Sequence, residues 1–100
     1  MSAKRSFTLD SNFYCVFCGN KGIPIARKSG ASREGGHLKK LYCLKCNQET
    51  NHVECKEFTK YSYSDFIFEY ENDNFDKNGL RILPYGEFRA KKHNEGVELP

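Results

Sequence analysis

Four cysteines in two close pairs constrain this chain more than any other feature. They fall at Cys15, Cys18, Cys43 and Cys46, a C-x2-C-x24-C-x2-C pattern. Two residues between cysteines let a tight turn aim both sulfurs at one point, and two such turns supply the corners of a tetrahedron. This is the usual sequence form of a four-cysteine zinc site, with Zn–S near ~2.3 Å. The two turns also repeat each other. Tyr14-Cys15-Val16-Phe17-Cys18-Gly19 is matched by Tyr42-Cys43-Leu44-Lys45-Cys46-Asn47. Gly and Asn take positive φ most readily, and that conformation turns backbone N–H groups towards the sulfurs. The alternatives for these cysteines are two disulfides or buried free thiols. Four thiolates leave no open position for water, so the pattern predicts one structural Zn2+ rather than a catalytic ion.

The remaining composition gives a metal staple work to do. Charged residues make up 29% of the 100 residues, and the mean hydropathy is −0.74. The apolar core is therefore thin. Metal binding, worth roughly 10–16 kcal/mol in zinc peptides, can become folding free energy. The opening MSAKRSFTL has no apolar run of the signal-peptide kind. No stretch approaches the ~18 apolar residues of a membrane span. A reducing, cytoplasmic setting without a membrane is the expectation. Charge is uneven along the chain. Residues 1–60 carry eleven Lys/Arg and five Asp/Glu, whereas residues 61–80 carry one and five. This reads either as attraction within one fold or as a basic face for phosphates.

The order of elements follows from pattern and punctuation. Residues 1–11 read as a flexible N-terminus, 12–83 as the folded domain with an appended helix, and 84–100 as an extended or disordered tail. Gly22–Arg27 reads as a strand, with Pro24 confined to an edge. KSGASREGG at 28–36 reads as the tip of a hairpin, and His37–Cys43 as its return strand. Thr50–Phe58 is a further strand, with Val53 and Cys55 on one face and His52 and Glu54 on the other. Cys55 is thus expected in the core. A complete set of four cysteine ligands leaves His37 and His52 no role as ligands. Tyr63, Phe66, Ile67 and Tyr70 fall on one helical face, with Ser64 as the N-cap. Asn78-Gly79 signals a turn, and Leu80–Leu83 a short strand before Pro84.

The knuckles and the hairpin between them, about residues 13–58, resemble a zinc ribbon of the rubredoxin-like class. The resemblance implies antiparallel hairpins around a four-cysteine zinc site; with the one short C-terminal helix read from the pattern at Tyr63–Tyr70, the expected fold is a small β-rich α+β zinc ribbon. It says little about function, because ribbons serve many roles. Rubredoxin itself carries iron, but its second knuckle normally ends in Cys-Gly, where this chain has Cys46-Asn47. Ribbons of transcript-cleavage factors carry an acidic pair at the hairpin tip. Here the tip has only Glu34, beside Arg33, which argues against metal-assisted RNA cleavage. HLKKLYCLKC followed by TNHVEC is similar to small uncharacterised zinc-ribbon proteins of bacteriophages that infect Gram-positive bacteria.

Two functions compete. Arg27, Lys28, Arg33, Lys39 and Lys40 are expected on the hairpin, where they suit the phosphates of DNA or RNA. Tyr14, Phe17 or Tyr42 would stack on unpaired bases if exposed. The alternative is a protein-interaction adaptor, or a phage-type modulator, docking on a large host machine such as RNA polymerase, the ribosome or a defence enzyme. An enzyme is not expected. There is no phosphate loop and no Ser/His/Asp or Cys/His set in supporting context.

Overall fold

Each cysteine knuckle reverses the chain, and the sheet is built around the two reversals. The structure, a computed structural model, describes residues 8–23, 25–28, 35–56 and 61–100. Strands β1 (Thr8–Cys15) and β2 (Ile25–Lys28) flank the first knuckle; β3 (Leu38–Cys43) and β4 (Gln48–Cys55) flank the second. The sheet order is β2-β1-β4-β3, with antiparallel neighbours. Thr8–Ser11 of β1 pair with β2, and Asn12–Cys15 pair with β4, down to Cys15 opposite His52. The small antiparallel fold around a four-cysteine cluster is therefore as expected.

The hairpin between the knuckles is not. β2 and β3 occupy opposite edges of the sheet instead of pairing. Each strand pairs with the one reached through its own knuckle, whose turn reverses the chain and sets the two strands side by side. Arg27 and Lys28 consequently lie on one edge strand, while Lys39 and Lys40 lie on the other. Arg33 and Glu34, like Pro24, lie outside the described residues.

The β4 strand departs from simple alternation. Val53 and Cys55 are buried as expected, but His52 and Glu54 are buried too. A central strand covered on both faces loses the polar-out signature that hydropathy relies on. Cys55 joins Val16, Val53, Tyr61 and Phe66 in the core, so its structural role is clear from its packing.

Helix α1 (Tyr63–Glu71) starts two residues earlier than its sequence suggested. Ser62, not Ser64, is the N-cap: the Asp65 carboxylate accepts the Ser62 N–H at 2.9 Å and its hydroxyl at 3.2 Å. The Asp65 side chain thus reaches back to the N-cap residue, as the third residue of a capping box does. Phe66 is fully buried and meets the rings of Tyr14, Tyr70 and Phe75 at centroid distances of 5.4, 5.5 and 6.2 Å. The helix thereby seals the sheet face that carries Tyr14 and Val53. Beyond it, Asp76 accepts the N–H groups of Asn78 and Leu80, and the Asn51 amide donates to the Gly79 carbonyl at 2.8 Å. The expected strand at 80–83 shrinks to one bridge between Phe75 and Arg81.

The stretch expected as a tail holds a second helix, α2 (Tyr85–Asn94), with Pro84 at its N-cap. Only Phe88 is buried on it, against Phe68 at 5.4 Å. One apolar anchor in ten residues leaves no periodicity to read. Polar contacts supply the rest: the Tyr85 hydroxyl donates to Asp65, and Arg89 lies 3.5 Å from the same carboxylate. A buried polar centre locks the helical half to the sheet. The fully buried Glu69 carboxylate accepts from the Tyr61 hydroxyl, from Asn74, and from Arg81 Nε and Nη2 at 2.8 Å each. Arg81 Nη1 also donates to the Gly36 carbonyl at 2.7 Å, just before β3.

Candidate metal centre

Both knuckles use one local design. In each, the residue after the second cysteine takes positive φ: Gly19 at 76° and Asn47 at 63°. Each donates its N–H to the carbonyl of the first cysteine, Gly19 to Cys15 at 2.8 Å and Asn47 to Cys43 at 2.7 Å. Amide groups inside the turns then face sulfur. Phe17 N–H donates to Cys15 Sγ at 3.4 Å and Cys46 N–H to Cys43 Sγ at 3.3 Å. The β1–β4 ladder brings the first knuckle beside the second.

The result is a cluster in which all four ligand atoms lie within 4.8 Å of one another. Cys15 Sγ is 3.8 Å from Cys46 Sγ, and Cys18 Sγ is 3.5 Å from Cys43 Sγ. A tetrahedral ion with bonds of ~2.3 Å needs its sulfurs about 3.8 Å apart, so the donor set fits one such ion. All five cysteines are free thiols, which removes the disulfide alternative for the knuckles. Among the described residues, neither His37 nor His52 belongs to the cluster. His52 is buried, with Nδ1 2.9 Å from the Thr50 carbonyl.

The electrostatics of the metal-free thiols also call for a cation. Partial burial, then the sulfurs of Cys18, Cys15 and Cys43, push the Cys46 thiol up to about 12. Burial and contact with Cys43 likewise raise Cys18. Burial also opposes ionisation of Cys43, but the Cys46 N–H, the Cys18 thiol and the Lys45 N–H outweigh it and bring Cys43 to about 7. Crowded thiols cannot all ionise together. A bound metal removes that conflict by taking the place of the protons.

One contributor to the site was not legible beforehand. The Thr50 hydroxyl lies 3.1 Å from Cys15 Sγ, where it can donate to a thiolate. Such outer contacts orient and tune metal ligands. Only the register of β4 against β1 reveals it, since Thr50 belongs to neither knuckle. Tyr70 closes the site from α1, its hydroxyl donating to the Phe17 carbonyl at 3.3 Å.

No protein-family model, curated protein or solved structure matches the chain. Its chemistry rests on its own residues: the chain carries a four-cysteine centre able to hold one metal ion.

The expected nucleic-acid residues are not gathered into one patch. Lys39 and Lys40 are exposed on β3; Arg27 and Lys28 belong to the far edge strand β2; Arg33 is outside the described residues. Lys21 and Lys45, beside the knuckles, are also exposed. Of the three aromatics considered for stacking, Tyr42 is 53% and Phe17 43% exposed. Tyr14 instead packs 4.7 Å from Tyr63. No helix among the described residues is long and apolar enough to cross a membrane.

Proposed function

We propose that the chain is a non-enzymatic zinc-ribbon module whose four-cysteine centre holds one structural Zn2+ and whose second-knuckle face binds nucleic acid. Soft thiolate ligands in a tetrahedral set suit zinc. A closed four-sulfur shell favours a structural ion over a catalytic one. The observation that carries the nucleic-acid reading is the company kept by Tyr42. Its half-exposed ring, with the hydroxyl donating to Asn47 at 2.8 Å, shares a strand face with exposed Lys40, two residues before it on β3, while exposed Lys45 lies in the adjoining knuckle. Exposed aromatics stack on bases while lysines neutralise phosphates. The rigid knuckle holds both in place. Arg27 and Lys28, on the opposite edge strand, are not part of this face, and Arg33 lies outside the described residues.

The test is binding of single- and double-stranded DNA and RNA across a salt series, with metal content measured alongside. Reversing Lys39 and Lys40 to Glu should weaken binding and lower the slope of log K against log salt by about 0.7–0.9 per lost phosphate contact. Zinc content should stay near one per chain. A wild-type protein without salt-dependent affinity for any of these polymers would refute the reading.

A second reading, a protein-docking adaptor, is favoured by the exposure of Ile23 at 79% and Leu44 at 78%. Together with Tyr42 they border a cleft of about 440 Å³ between the knuckles. Exposed aliphatic side chains grouped in this way suit a protein surface better than a phosphate backbone. Nuclease-resistant recovery of one stoichiometric partner, lost in Ile23→Ser/Leu44→Ser, would establish it.

A further inference from the structure

We propose that the cavity of about 500 Å³ between the start of β3, Tyr61 and α2 is a binding site for a phosphate monoester. It lies apart from the cysteine centre and from the Tyr42 face. Gly36, His37, Tyr61, Arg81, Tyr85 and Arg89 form its walls. Its size falls within the ~300–1,000 Å³ typical of small-molecule sites.

The lining chemistry is one-sided. Two arginines and a histidine line the space, and among the described residues no carboxylate does. Asp65 and Glu69, the acids that pair with these arginines, are buried and do not line the cavity. The arginines are held ready. Arg81 is fixed by Glu69 and by the Gly36 carbonyl, and its guanidinium carbon sits 5.6 Å from the centre of the Tyr61 ring. Arg89 sits 5.7 Å from the Tyr85 ring centre and uses only Nη1, towards the Tyr85 hydroxyl at 3.3 Å and Asp65 at 3.5 Å. Nε and Nη2 of Arg89 are thus left for a ligand. A planar guanidinium edge matches a pair of phosphate oxygens. A monoester carries close to two negative charges at neutral pH, with its second pKa near ~6, whereas a diester carries one. Arg81 is balanced by Glu69, so a monoester's charge is met by the Nε/Nη2 edge of Arg89 and by protonated His37 at the rim. His37, exposed at the rim, can add a donor when protonated. This ligand chemistry has two sources, a free mononucleotide or the phosphorylated end of a nucleic-acid strand.

Gly86 makes a clean test possible. It lines the cavity from the first turn of α2, and a Cβ added there meets nothing within 4 Å. Gly86→Leu should therefore obstruct the cavity while improving helix propensity. Arg89→Gln removes the free guanidinium edge. The experiment is calorimetric titration of the metal-loaded full chain with AMP, adenosine, acetate, and one short oligonucleotide with and without a 5′-phosphate. Melting temperature and metal content serve as folding controls. At least one phosphorylated probe should bind about ten-fold or more tightly than its unphosphorylated counterpart. Each variant should weaken it by a similar factor, as expected for a lost charge-assisted contact. Binding by AMP assigns a free nucleotide, and binding confined to the phosphorylated oligonucleotide assigns a strand end. The proposal is overturned if millimolar phosphorylated probes do not bind, if phosphate adds nothing, if acetate binds as tightly, or if both variants bind as wild type does. Oligonucleotide binding that responds to Lys39 and Lys40 but not to Arg89 or the 5′-phosphate would overturn it and leave the nucleic-acid reading intact.

Discussion

Replacing Glu69 by leucine should be among the most damaging single changes outside the cysteines, and pairing it with Arg81→Met should recover part of the loss. The Glu69 side chain is 0% exposed and that of Arg81 is 19% exposed. In Glu69→Leu the Arg81 guanidinium loses two hydrogen bonds of 2.8 Å while remaining beside the rings of Tyr61 and Phe75. Tyr61 and Asn74 each lose a hydrogen bond to that carboxylate as well. Stranding one member of a buried ion pair costs about 3–5 kcal/mol. For a domain of this size each kcal/mol lowers the melting temperature by roughly 4–8 °C, so the drop should exceed about 12 °C. In the double variant no charge is stranded, and its loss should fall short of the summed single losses by about 1–3 kcal/mol. Urea unfolding at fixed zinc concentration and neutral pH measures all three, because bound metal otherwise shifts apparent stability by mass action. A loss below about 1 kcal/mol for Glu69→Leu, or strict additivity in the double variant, would refute the view that this pair locks the helical half to the sheet.

Three further outcomes are expected. Metal uptake should release protons and weaken as pH falls: the metal-free site keeps Cys46 protonated at neutral pH, its pKa being raised to about 12, and the ion must displace that proton. Titration in buffers of different ionisation enthalpy reads the proton count, and affinity independent of pH between about 6 and 8 would contradict it. Cys55→Ala should keep full metal content and lose about 1 kcal/mol of stability, the cost of a small core truncation; metal analysis beside a melt checks both. Thr50→Val removes the hydroxyl facing Cys15 Sγ, and should lower metal affinity, by about ten-fold or more on the scale of outer-shell losses, in a chelator competition.

The cysteine spacing announced the metal centre because the knuckle is a local device. Tyr14 to Gly19 and Tyr42 to Asn47 contain nearly everything that shapes each turn, including the positive-φ residue. The Phe66 face of α1 was legible for the same reason, since a helical stripe is written within a few residues. All but one of the failures involve distant partners. The pairing of β2 with β1 rather than β3 depends on which strands meet, and a glycine-rich stretch between two strands looks like a hairpin tip in either case. His52 and Glu54 could be placed only on the face opposite Val53 and Cys55; that this face is buried too depends on cover from elsewhere in the chain. α2 was illegible because Phe88 is its single buried anchor, while Asp65, which holds its first turns through Tyr85 and Arg89, lies 20 residues from Tyr85. The capping shift from Ser64 to Ser62 shows the limit of a local rule: both serines suit the position, and the carboxylate of Asp65 decides between them.

Placing β2 and β3 on opposite edges bears on how fast the sheet can assemble. The central β1–β4 ladder must join segments far apart in the chain, the slow step in antiparallel topologies. The sulfurs that share the centre are separated by 31 and 25 positions, and they lie at the end of that ladder. Two preformed knuckles capturing one ion would close this loop before any central hydrogen bond forms, so that Cys15 and His52 start the pairing as neighbours. The loop-closure cost is then met by metal coordination, and growth of the ladder becomes a local zippering process. An ion held at this centre would thus act on the folding rate through topology as well as on the folded state, and refolding should accelerate when zinc is present from the first moment rather than added late.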